Sequence, residues 1–504
     1  MQLKCLLPLT FVLAAGVSAA DKPNILFIAI DDLKPMVAAY GENIPTPAFD
    51  RIAAQGTTFL NAHCQQAVCG PSRASLMTGK RPDYTRVWDL QTEIRSIHPD
   101  ILTLPQYMKS HGYFSAGVGK IYDPRSVDKG ADTASWSQPY RQTWHLKYDA
   151  TTGKPSAHYQ DPRIKELATE AEAMGEKGWG PINRYLLKKD AWPAVEAVDV
   201  PDDAYDDGAI AAYAVSELAK LATRDEPFFF AVGFKKPHLP FVAPKKYWDL
   251  FDRESLELAL FQRQAVNSPD LAYHNWPELR SYSGIPAEGE LDEATQRELI
   301  HGYYACVAYI DAQIGKIIDQ LDTLDLADDT IIVLWGDHGF HLGDHGLWCK
   351  HSNLEHATRV PLIIAAPQGK AGQLSTMPVE LIDIFPTLCD LTDLELPTHL
   401  DGVSLAPVLT EGAGNIREFA VSQYPRSGHL GYALRTERFR YVAWYANQGE
   451  AAADGHIAPV STELYDYKHD PRETRNLANE AAYAKVSTDL GSKLTQFLKN
   501  YSAK

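Results

Sequence analysis

Short apolar runs recur along the chain, and four of the five end in a polar or glycine-containing cluster. They are rich in β-branched and aromatic residues, and amphipathic helical patterns lie between them. Continuous apolar runs are typical of strands buried in a parallel sheet. Their alternation with helices predicts an α/β sandwich, in which ligands bind beyond the carboxyl ends of the strands. The runs are 24–30, 114–118, 228–232, 330–335 and 361–365, and the helical patterns are 48–55, 104–111, 206–222, 293–321 and 380–391.

The length of 504 residues predicts one large domain and a smaller one. Residues 1–20 are interpreted as a signal peptide, because a short positive start precedes an apolar run over 6–17 and a small-residue cleavage site. The apolar run is too short to span a bilayer, so we expect export to the periplasm or the medium without a membrane anchor. We predict a catalytic domain over 21–410. Residues 411–504 are predicted to form a C-terminal α+β subdomain with a small antiparallel sheet and a closing helix.

Two segments, 123–200 and 252–292, are rich in Gly, Pro, aromatic and charged residues and show little periodicity. We interpret both as long surface insertions that could form the walls of a substrate pocket.

The overall charge limits the class of partner. The chain has 65 acidic and 48 basic residues, and the resulting formal charge of −17 argues against nucleic-acid binding. An anionic substrate is still permitted if a local pocket is basic. Of the six cysteines, one lies in the predicted signal peptide, and the remaining number excludes a dense disulfide framework.

Carboxylates follow two of the predicted strands. Asp31 and Asp32 come directly after the first run, and Asp337 follows the fourth. Three anionic groups at one sheet edge would repel each other unless a cation lay among them. Oxygen ligands favour Ca²⁺ or Mg²⁺, whereas the neighbouring His338 is more typical of zinc. The residues alone therefore predict a metal site and leave the ion open.

Cys69 opens the segment 69–79, which reads CGPSRASLMTG. Pro71 suits the first turn of a helix and Gly79 its end, so we expect Cys69 just before a helix N-terminus. Amide groups there favour anions, and Arg73 could reach back to the same place. A thiolate nucleophile is one interpretation, although no base lies nearby in the sequence.

The Cys-x-Pro-Ser-Arg motif followed by Thr-Gly resembles the maturation motif of the type I, formylglycine-dependent sulfatases. The resemblance covers nearly the whole chain after residue 20. The sequences of its motifs are most similar to those of the iduronate-2-sulfatase branch and its bacterial polysaccharide-sulfatase relatives. It implies an alkaline-phosphatase-like sandwich with a large mixed, mostly parallel sheet between helices. The segments that carry it are 24–32, 65–82, 117–120, 228–241, 336–353 and 463–478.

The resemblance also implies the chemistry of the site. Cys69 would be converted to formylglycine (3-oxoalanine) by a separate maturation enzyme, and a hydroxyl of its hydrate would attack sulfur to give a covalent sulfo-enzyme. One Ca²⁺ per chain is implied, which replaces zinc as the expected ion. The implied metal ligands are Asp31, Asp32, residue 69, Asp337 and His338. The other implied catalytic residues are Arg73, which orients the formylglycine, Lys120 and Lys350, which bind sulfate, and His238, the general acid.

One position departs from the family pattern, in which a histidine follows the first lysine by two or three residues. Here Lys120 is followed by Ile-Tyr-Asp. That histidine is thought to take a proton from the second hydroxyl when the sulfo-intermediate collapses. Asp123 is a candidate for this base, and a histidine from elsewhere in the chain is the alternative. Close relatives also tend to carry a histidine where this chain has Lys235.

The expected substrate is a sulfated carbohydrate. We predict exo-acting hydrolysis of polysaccharide-derived oligosaccharides that contain uronate or rhamnose. A phosphate or phosphonate ester hydrolase on the same scaffold is one alternative, and a catalytically impaired sulfated-glycan-binding protein is another. Side chains that could contact the sugar are Lys34, Arg81, Arg86, Trp88, Lys235, His341 and Arg359.

Overall fold

The computed structural model describes residues 22–42, 44–446 and 458–502, so the predicted signal peptide lies outside the described residues. The strands are β1 (Asn24–Ile30), β2 (Thr57–Phe59), β3 (Ala62–His63), β4 (Phe114–Gly119), β5 (Val195–Val198), β6 (Phe228–Phe234), β7 (Phe241–Pro244), β8 (Thr330–Gly336), β9 (His341–Leu342), β10 (Trp348–Cys349), β11 (Arg359–Val360), β12 (Leu362–Ala365), β13 (Gln373–Ser375), β14 (Val379–Glu380), β15 (Ala420–Arg426), β16 (His429–Arg435), β17 (Phe439–Ala446) and β18 (Ser461–Asp466).

The helices of the described residues vary from one turn to more than eight turns. They are α1 (Pro47–Gln55), α2 (Cys69–Thr78), α3 (Pro82–Thr85), α4 (Ile94–Ile97), α5 (Leu104–Ser110), α6 (Pro162–Ala173), α7 (Trp179–Lys188), α8 (Asp206–Leu221), α9 (Lys245–Trp248), α10 (Pro277–Arg280), α11 (Glu293–Thr323), α12 (Glu355–Thr358), α13 (Ile384–Leu391), α14 (Ala406–Glu411) and α15 (Ala484–Ser502). None of the helices in this part of the chain is both long and apolar enough to pass through a bilayer.

The central sheet of the described residues has seven strands in the order β13-β2-β12-β8-β1-β6-β4. β1 lies between β8 and β6 and is parallel to both, with Ile28 opposite Leu334 on one side and Val232 on the other. β4 is parallel to β6. Because these four strands run in one direction, the polar clusters that follow them meet at one edge of the sheet. The predicted mixed, mostly parallel sheet is confirmed.

The fifth apolar run forms β12, which is antiparallel to both β8 and β2. Its carboxyl end therefore points to the opposite edge of the sheet, and this explains why no polar cluster follows it. The short strands β2 and β13 were not predicted, because three residues are too few to show a period.

Helices cover both faces of the sheet. Leu26 and Ile28 of β1 point into an apolar cluster with α8 and α11. Ile25 and Phe27 point to the other face and pack with α2, α5 and α13. Successive side chains of a strand alternate between faces, so a run that is buried on both faces must be apolar throughout.

The largest error in the predicted helices concerns the insertion 123–200, which contains α6 and α7. Asp161 caps α6 by accepting hydrogen bonds from two backbone N–H groups, and Pro162 is its first residue. This start signal was present in the sequence. The predicted helix 380–391 begins instead with a 3₁₀ turn over Leu381–Asp383, because Glu380 and Asp383 form a capping box.

The C-terminal part contains the predicted antiparallel sheet, in the order β15-β16-β17-β18. The closing helix α15 packs on this sheet through Leu490 and Leu494, which share an apolar cluster with Leu434 and Leu464. The C-terminal subdomain is thus confirmed as a structural unit, and its boundary between residues 410 and 411 stays a prediction.

The five cysteines of the described residues are buried free thiols. This agrees with the predicted absence of a dense disulfide framework. They are Cys64, Cys69, Cys306, Cys349 and Cys389.

Candidate active site

The ends of β1 and β8 bring three carboxylates together. Asp31 and Asp32 follow β1, Asp337 follows β8, and each of them is at most 1% exposed. Asp32 has a φ of 63°, in the left-handed region that aspartate tolerates better than most residues. Its N–H donates to Oδ1 of Asp337 at 3.0 Å, and its carbonyl accepts from the Tyr303 hydroxyl at 2.8 Å. These bonds hold the turn so that the two strand ends share one acidic cluster.

Cys69 reaches this cluster from the other side. It is the first residue of α2, a ten-residue helix that is buried along its whole length. The expected position just before the helix is therefore wrong by one residue, whereas the end of the helix at Gly79, with φ of 65°, is as predicted. The Cys69 sulfur lies 3.3 Å from Nε2 of His338 and 4.0 Å from Oδ1 of Asp32.

The ligand atoms are close enough to share one ion. Two groups of atoms meet here, and within each group all atoms lie within 4.8 Å of one another. Oxygen ligands of Ca²⁺ lie about 2.3–2.6 Å from the ion, so two ligands of one ion are at most about 5 Å apart. The groups are Asp31, Asp32, Cys69 and His238, and Cys69, Asp337 and His338.

The hydrogen bonds of His338 also fit a cation. Its Nδ1 lies 3.0 Å from the carbonyl oxygen of Gly339, so this nitrogen is assigned the proton. Nε2 lies 3.2 Å from Oδ1 of Asp32 and 3.3 Å from the Cys69 sulfur. This nitrogen therefore faces the other candidate ligands of the cluster. The donors therefore fit a divalent cation, and their mixture of carboxylate and imidazole leaves its identity open.

Arg73 binds two of the three carboxylates of the cluster. Its Nε donates to Oδ2 of Asp337 at 2.9 Å, and another guanidinium nitrogen donates to Oδ1 of Asp31 at 3.1 Å. The same side chain donates to the carbonyl oxygens of Lys120 and Ile121. Arg73 is fully buried, so it fixes the relative positions of β1, β4 and β8 at the site.

Two lysines approach the cluster from different elements. Nζ of Lys120 lies 2.5 Å from Oδ2 of Asp31, and Nζ of Lys350 lies 2.8 Å from Oδ2 of Asp32. Burial raises the pKa of Asp31, but Lys120 and Arg73 outweigh burial and hold that pKa well below its usual value. Asp31 is thus anionic, and the two ammonium groups stand beside residue 69.

An unmodified Cys69 would be a poor nucleophile here. Burial raises the pKa of its thiol well above the usual value, and Asp31 raises it further, while Lys120 acts in the opposite direction. The thiol is therefore neutral near pH 7. The thiolate interpretation loses its physical basis in this site.

His238 lies at the more open side of the cluster, where 28% of its side chain is exposed. Its Nδ1 is 2.5 Å from the carbonyl oxygen of Leu239. Its Nε2 is 3.4 Å from Oε1 of Glu278 and 4.0 Å from Oδ2 of Asp32. Burial and Lys350 lower the pKa of His238, and carboxylates that include Asp32 act against that shift. The predicted general acid thus faces the same space as residue 69.

Glu278 is a site residue that the sequence analysis missed. It belongs to α10, inside the insertion 252–292 that was predicted only to form a pocket wall. Its Oε1 accepts from Nζ of Lys350 at 2.9 Å, and its Oε2 lies 3.4 Å from Nε2 of His351. A single glutamate in an aperiodic segment carries no motif, so the sequence contained no specific signal for it.

Asp123 is close to the site but is held by another partner. Arg125 donates to both of its carboxylate oxygens, at 2.9 and 2.8 Å, while Nζ of Lys120 is 3.9 Å away. Burial raises the pKa of Asp123, but the bonds from Arg125 and the charge of Lys120 outweigh it and lower the pKa to about 2. Such a carboxylate is a weak base, which favours the alternative of a histidine from elsewhere in the chain.

Two predicted sugar contacts are bound to each other rather than to the site. The guanidinium of Arg86 lies 5.4 Å from the ring centre of Trp88, and Arg86 is exposed. Lys235 lies on the strand-end loop after β6, where its Nζ pairs with Oδ2 of Asp206 at 2.7 Å. Arg86, Trp88 and Lys235 are each at least partly exposed, so a sugar could contact all three.

The other predicted sugar contacts have partners away from the metal cluster. Lys34 pairs with Asp344 at 3.0 Å, and together with Arg359 it lines a separate cavity of about 650 Å³. Arg359 donates to the carbonyl oxygen of Leu60. The remaining two are buried: Nε2 of His341 is 3.0 Å from the Ser352 hydroxyl, and Arg81 pairs with Glu380 at 2.6 Å. The role of these four residues as sugar contacts stays a prediction.

The chain is similar in sequence to known proteins. Residues 23–394 match the family described as Sulfatase, and residues 343–500 match the family described as N-sulphoglucosamine sulphohydrolase, C-terminal. The iduronate 2-sulfatase of Mus musculus is 32% identical over 539 residues, which cover 93% of each chain. The first of these matches, over residues 23–394, spans the residues that form the acidic cluster and the helix of residue 69.

Two solved structures show the same fold at lower identity. One is BT4656 in complex with its substrate D-glucosamine-2-N,6-O-disulfate, with a TM-score of 0.71 and 23% identity over 96% of this chain and 99% of that one. The other is the phosphonate monoester hydrolase of Agrobacterium radiobacter, with a TM-score of 0.70 and 24% identity over 95% and 96%. The predicted alkaline-phosphatase-like architecture is confirmed. With the match of residues 23–394 and a relative above 30% identity over nearly its whole length, the chain belongs to the sulfatase family and is a sulfatase.

Proposed function

We propose that the protein removes sulfate from a sulfated carbohydrate, with a formylglycine formed from Cys69 and one bound Ca²⁺. The observation that carries this proposal is the convergence of residue 69, three buried carboxylates and two lysines at one sheet edge. Such an arrangement suits an anionic ester whose charge spreads over several oxygens during transfer.

The metal would be held by Asp31, Asp32, Asp337, His338 and the side chain of residue 69. When bound, Ca²⁺ would withdraw charge from sulfate oxygens and lower the pKa of a neighbouring hydroxyl. An aldehyde at residue 69 would supply, as its hydrate, the oxygen nucleophile that cysteine cannot supply here. Arg73 supports both by holding Asp31 and Asp337 in place.

The remaining residues act on the sulfate ester itself. Lys120 and Lys350 would bind two of its oxygens, since their ammonium groups contact Asp31 and Asp32 in the acidic cluster. As the bond between sulfur and the sugar oxygen breaks, the electron pair stays on that oxygen. His238 would give it the proton from Nε2, so the free alcohol leaves while the sulfo group stays bonded to the attacking oxygen of residue 69. When the second hydroxyl of residue 69 loses its proton, the carbon–oxygen bond to the sulfated oxygen would break, which re-forms the aldehyde and releases inorganic sulfate. Water would then restore the hydrate.

The base of the second half-reaction is assigned to His238 as well. After it has protonated the leaving oxygen, the neutral imidazole is ready to accept a proton. One of its nitrogens lies within 4.8 Å of the Cys69 sulfur, whereas Asp123 is occupied by Arg125. This assignment takes the place of the predicted role of Asp123.

The substrate class is inferred from the relatives. The similar mouse protein is named for iduronate, and the similar structure of BT4656 contains a disulfated glucosamine. We propose an exo-acting enzyme on oligosaccharides that contain uronate or rhamnose. Trp88, Arg86 and Lys235 are the candidates for contacts with the sugar, because they retain exposed surface.

Export to the periplasm or the medium and activation by a formylglycine-generating enzyme complete the proposal. The first rests on the predicted signal peptide, and the second on the Cys-x-Pro-Ser-Arg motif.

Release of inorganic sulfate and phosphate from matched aryl esters tests the reaction class. We expect a higher kcat/KM for the sulfate ester, followed by desulfation of defined sulfated oligosaccharides in a mass-spectrometric screen. A clear preference for the phosphate or phosphonate ester would favour the alternative hydrolase, whose fold is equally similar. Equal product release by the wild type and Cys69→Ala would favour a binding protein without turnover.

A further inference from the structure

Glu278 links Lys350, which is proposed to bind the sulfate, to His238, which is proposed to protonate the leaving oxygen. Its Oε1 contacts Lys350 at 2.9 Å and His238 at 3.4 Å. Its Oε2 contacts His351 at 3.4 Å, and Nδ1 of His351 is 3.1 Å from the Tyr424 hydroxyl. The carboxylate therefore lies in a continuous polar chain from the C-terminal sheet to the active site.

The segment that carries Glu278 is firmly seated. Trp276 and Leu279 on either side of it are buried, and the Arg280 guanidinium stacks on the Trp276 ring at 3.3 Å. Arg280 also donates to three backbone carbonyls of the same insertion. A side chain that is only 22% exposed on such a segment has a fixed direction, in contrast to a surface glutamate.

The contacts of Glu278 restrict the imidazole of His238 at both nitrogens. Nδ1 faces the Leu239 carbonyl and Nε2 faces the glutamate, so the plane of the ring is set by two acceptors. The contact of Nε2 with Asp32, at 4.0 Å, is more distant than its contact with Glu278. An acid is efficient only when it is aimed at the atom that receives its proton.

A simple role in binding the sulfate is excluded by charge. A carboxylate 2.9 Å from a sulfate-binding lysine opposes the binding of an anion, so its loss would tighten binding if it had no other role. We therefore expect the Glu278 carboxylate to support a step that follows the binding of sulfate.

We propose that Glu278 is a positioning residue that aims His238 at the leaving oxygen. This inference rests on the proposed function of His238. It implies that Glu278 matters most when the leaving oxygen is weakly acidic and needs a proton, and little when the leaving group departs without help.

The test uses phenyl sulfates whose phenols differ in acidity. For Glu278→Gln, we expect kcat/KM to fall at least about tenfold more for the least acidic phenol than for the most acidic one, because general acids contribute about 10²–10⁴-fold. Glu278→Asp keeps the charge on a shorter side chain, so its loss of kcat/KM should lie between that of Glu278→Gln and the unchanged value of the wild type. Glu290→Gln, at an exposed carboxylate of the same insertion, should match the wild type throughout.

A double-mutant cycle separates positioning from general damage. In the His238→Ala background, Glu278→Gln should reduce kcat/KM by less than about twofold, because its effect passes through the imidazole. Equal losses for all phenols, or full additivity with His238→Ala, would overturn the inference, as would a gain in activity. Failure of the proposed function looks different: the wild type itself would release no sulfate from any phenyl sulfate or sulfated sugar.

Discussion

Lys350 and Asp32 form a buried ion pair that joins parts of the chain 318 residues apart, with Nζ 2.8 Å from Oδ2 and 3.2 Å from Oδ1. The lysine side chain is 4% exposed and the aspartate is fully buried. Burial lowers the pKa of Lys350, but Asp32 and Glu278 outweigh burial and raise it well above the usual value. The site thus keeps a permanent positive charge beside residue 69.

Removal of that charge should impair the transfer of sulfate. We expect Lys350→Ala to lower kcat/KM by about 10²-fold or more, as the loss of a preorganised transition-state partner does. The measurement is sulfate release under steady-state conditions, with a Tm for each protein. Lys485→Ala, at a side chain that is 86% exposed on α15, is the control and should leave activity unchanged. Near-wild-type activity of Lys350→Ala would remove the assignment.

Residue 69 should be modified in a host that has the maturation machinery. Cleavage after arginine releases residues 52–73 as one peptide, which contains both Cys64 and Cys69. Fragmentation of this peptide should locate formylglycine at 69 and an unmodified thiol at 64, because only Cys69 has the motif. Cys64 is an internal control of the same burial class. Unmodified cysteine at 69 throughout an active preparation would contradict the mechanism.

Much of the site was accessible from the sequence because its chemistry is concentrated at strand ends. Asp31, Asp32 and Asp337 each follow an apolar run, and parallel pairing of β1 and β8 necessarily brings those ends together. The same reasoning could not place the side chains of Lys34 and Arg359, which line the separate cavity. Their sequence positions are beside the motifs, but long side chains can turn to either side of a loop, and only packing selects the side.

Glu278 shows a second limit of predicting the site from the sequence. Its contact with Lys350 joins residues 72 apart through a one-turn helix, and neither the helix nor its direction has a periodic signal. The antiparallel direction of β12 had a weak signal, since its run lacks a terminal polar cluster. Strand direction depends on how the chain crosses the sheet, and local residue pattern does not encode that path.

Binding of the metal should stabilise the folded protein. A ligand that binds only the native state adds about 2.7 kcal/mol at a hundredfold excess over its Kd, so Tm should rise with Ca²⁺ and fall with a chelator. Asp337→Asn should abolish most of this shift, because it removes a buried anionic ligand from the cluster. Asp328→Asn, at an exposed carboxylate, should retain it. Parallel titrations with Ca²⁺, Mg²⁺ and Zn²⁺ identify the ion, and a Tm that responds to none of them would contradict the metal site.

Asp311 should make stability depend on pH, far from the metal cluster. Its Oδ1 accepts from the N–H groups of Ala48 and Phe49 at the start of α1, at 2.9 and 3.0 Å. Burial raises its pKa to about 7, and the two N–H groups act against that shift. In the unfolded chain the carboxyl has a pKa near 4.

The folded state therefore binds more protons than the unfolded state between about pH 4 and 7, so the contribution of Asp311 is present below pH 4 and is lost as pH rises to 7. Above that window the buried charge costs on the order of 4 kcal/mol. Asp311→Asn keeps an oxygen acceptor and removes the charge, so it should raise Tm at pH 8 and lose its advantage near pH 4. The difference in Tm from the wild type isolates this group from all others that titrate. If the difference in Tm were constant between about pH 4 and 7, or equal to that of Asp328→Asn, Asp311 would already be ionised in the folded protein across this range and the prediction would be wrong.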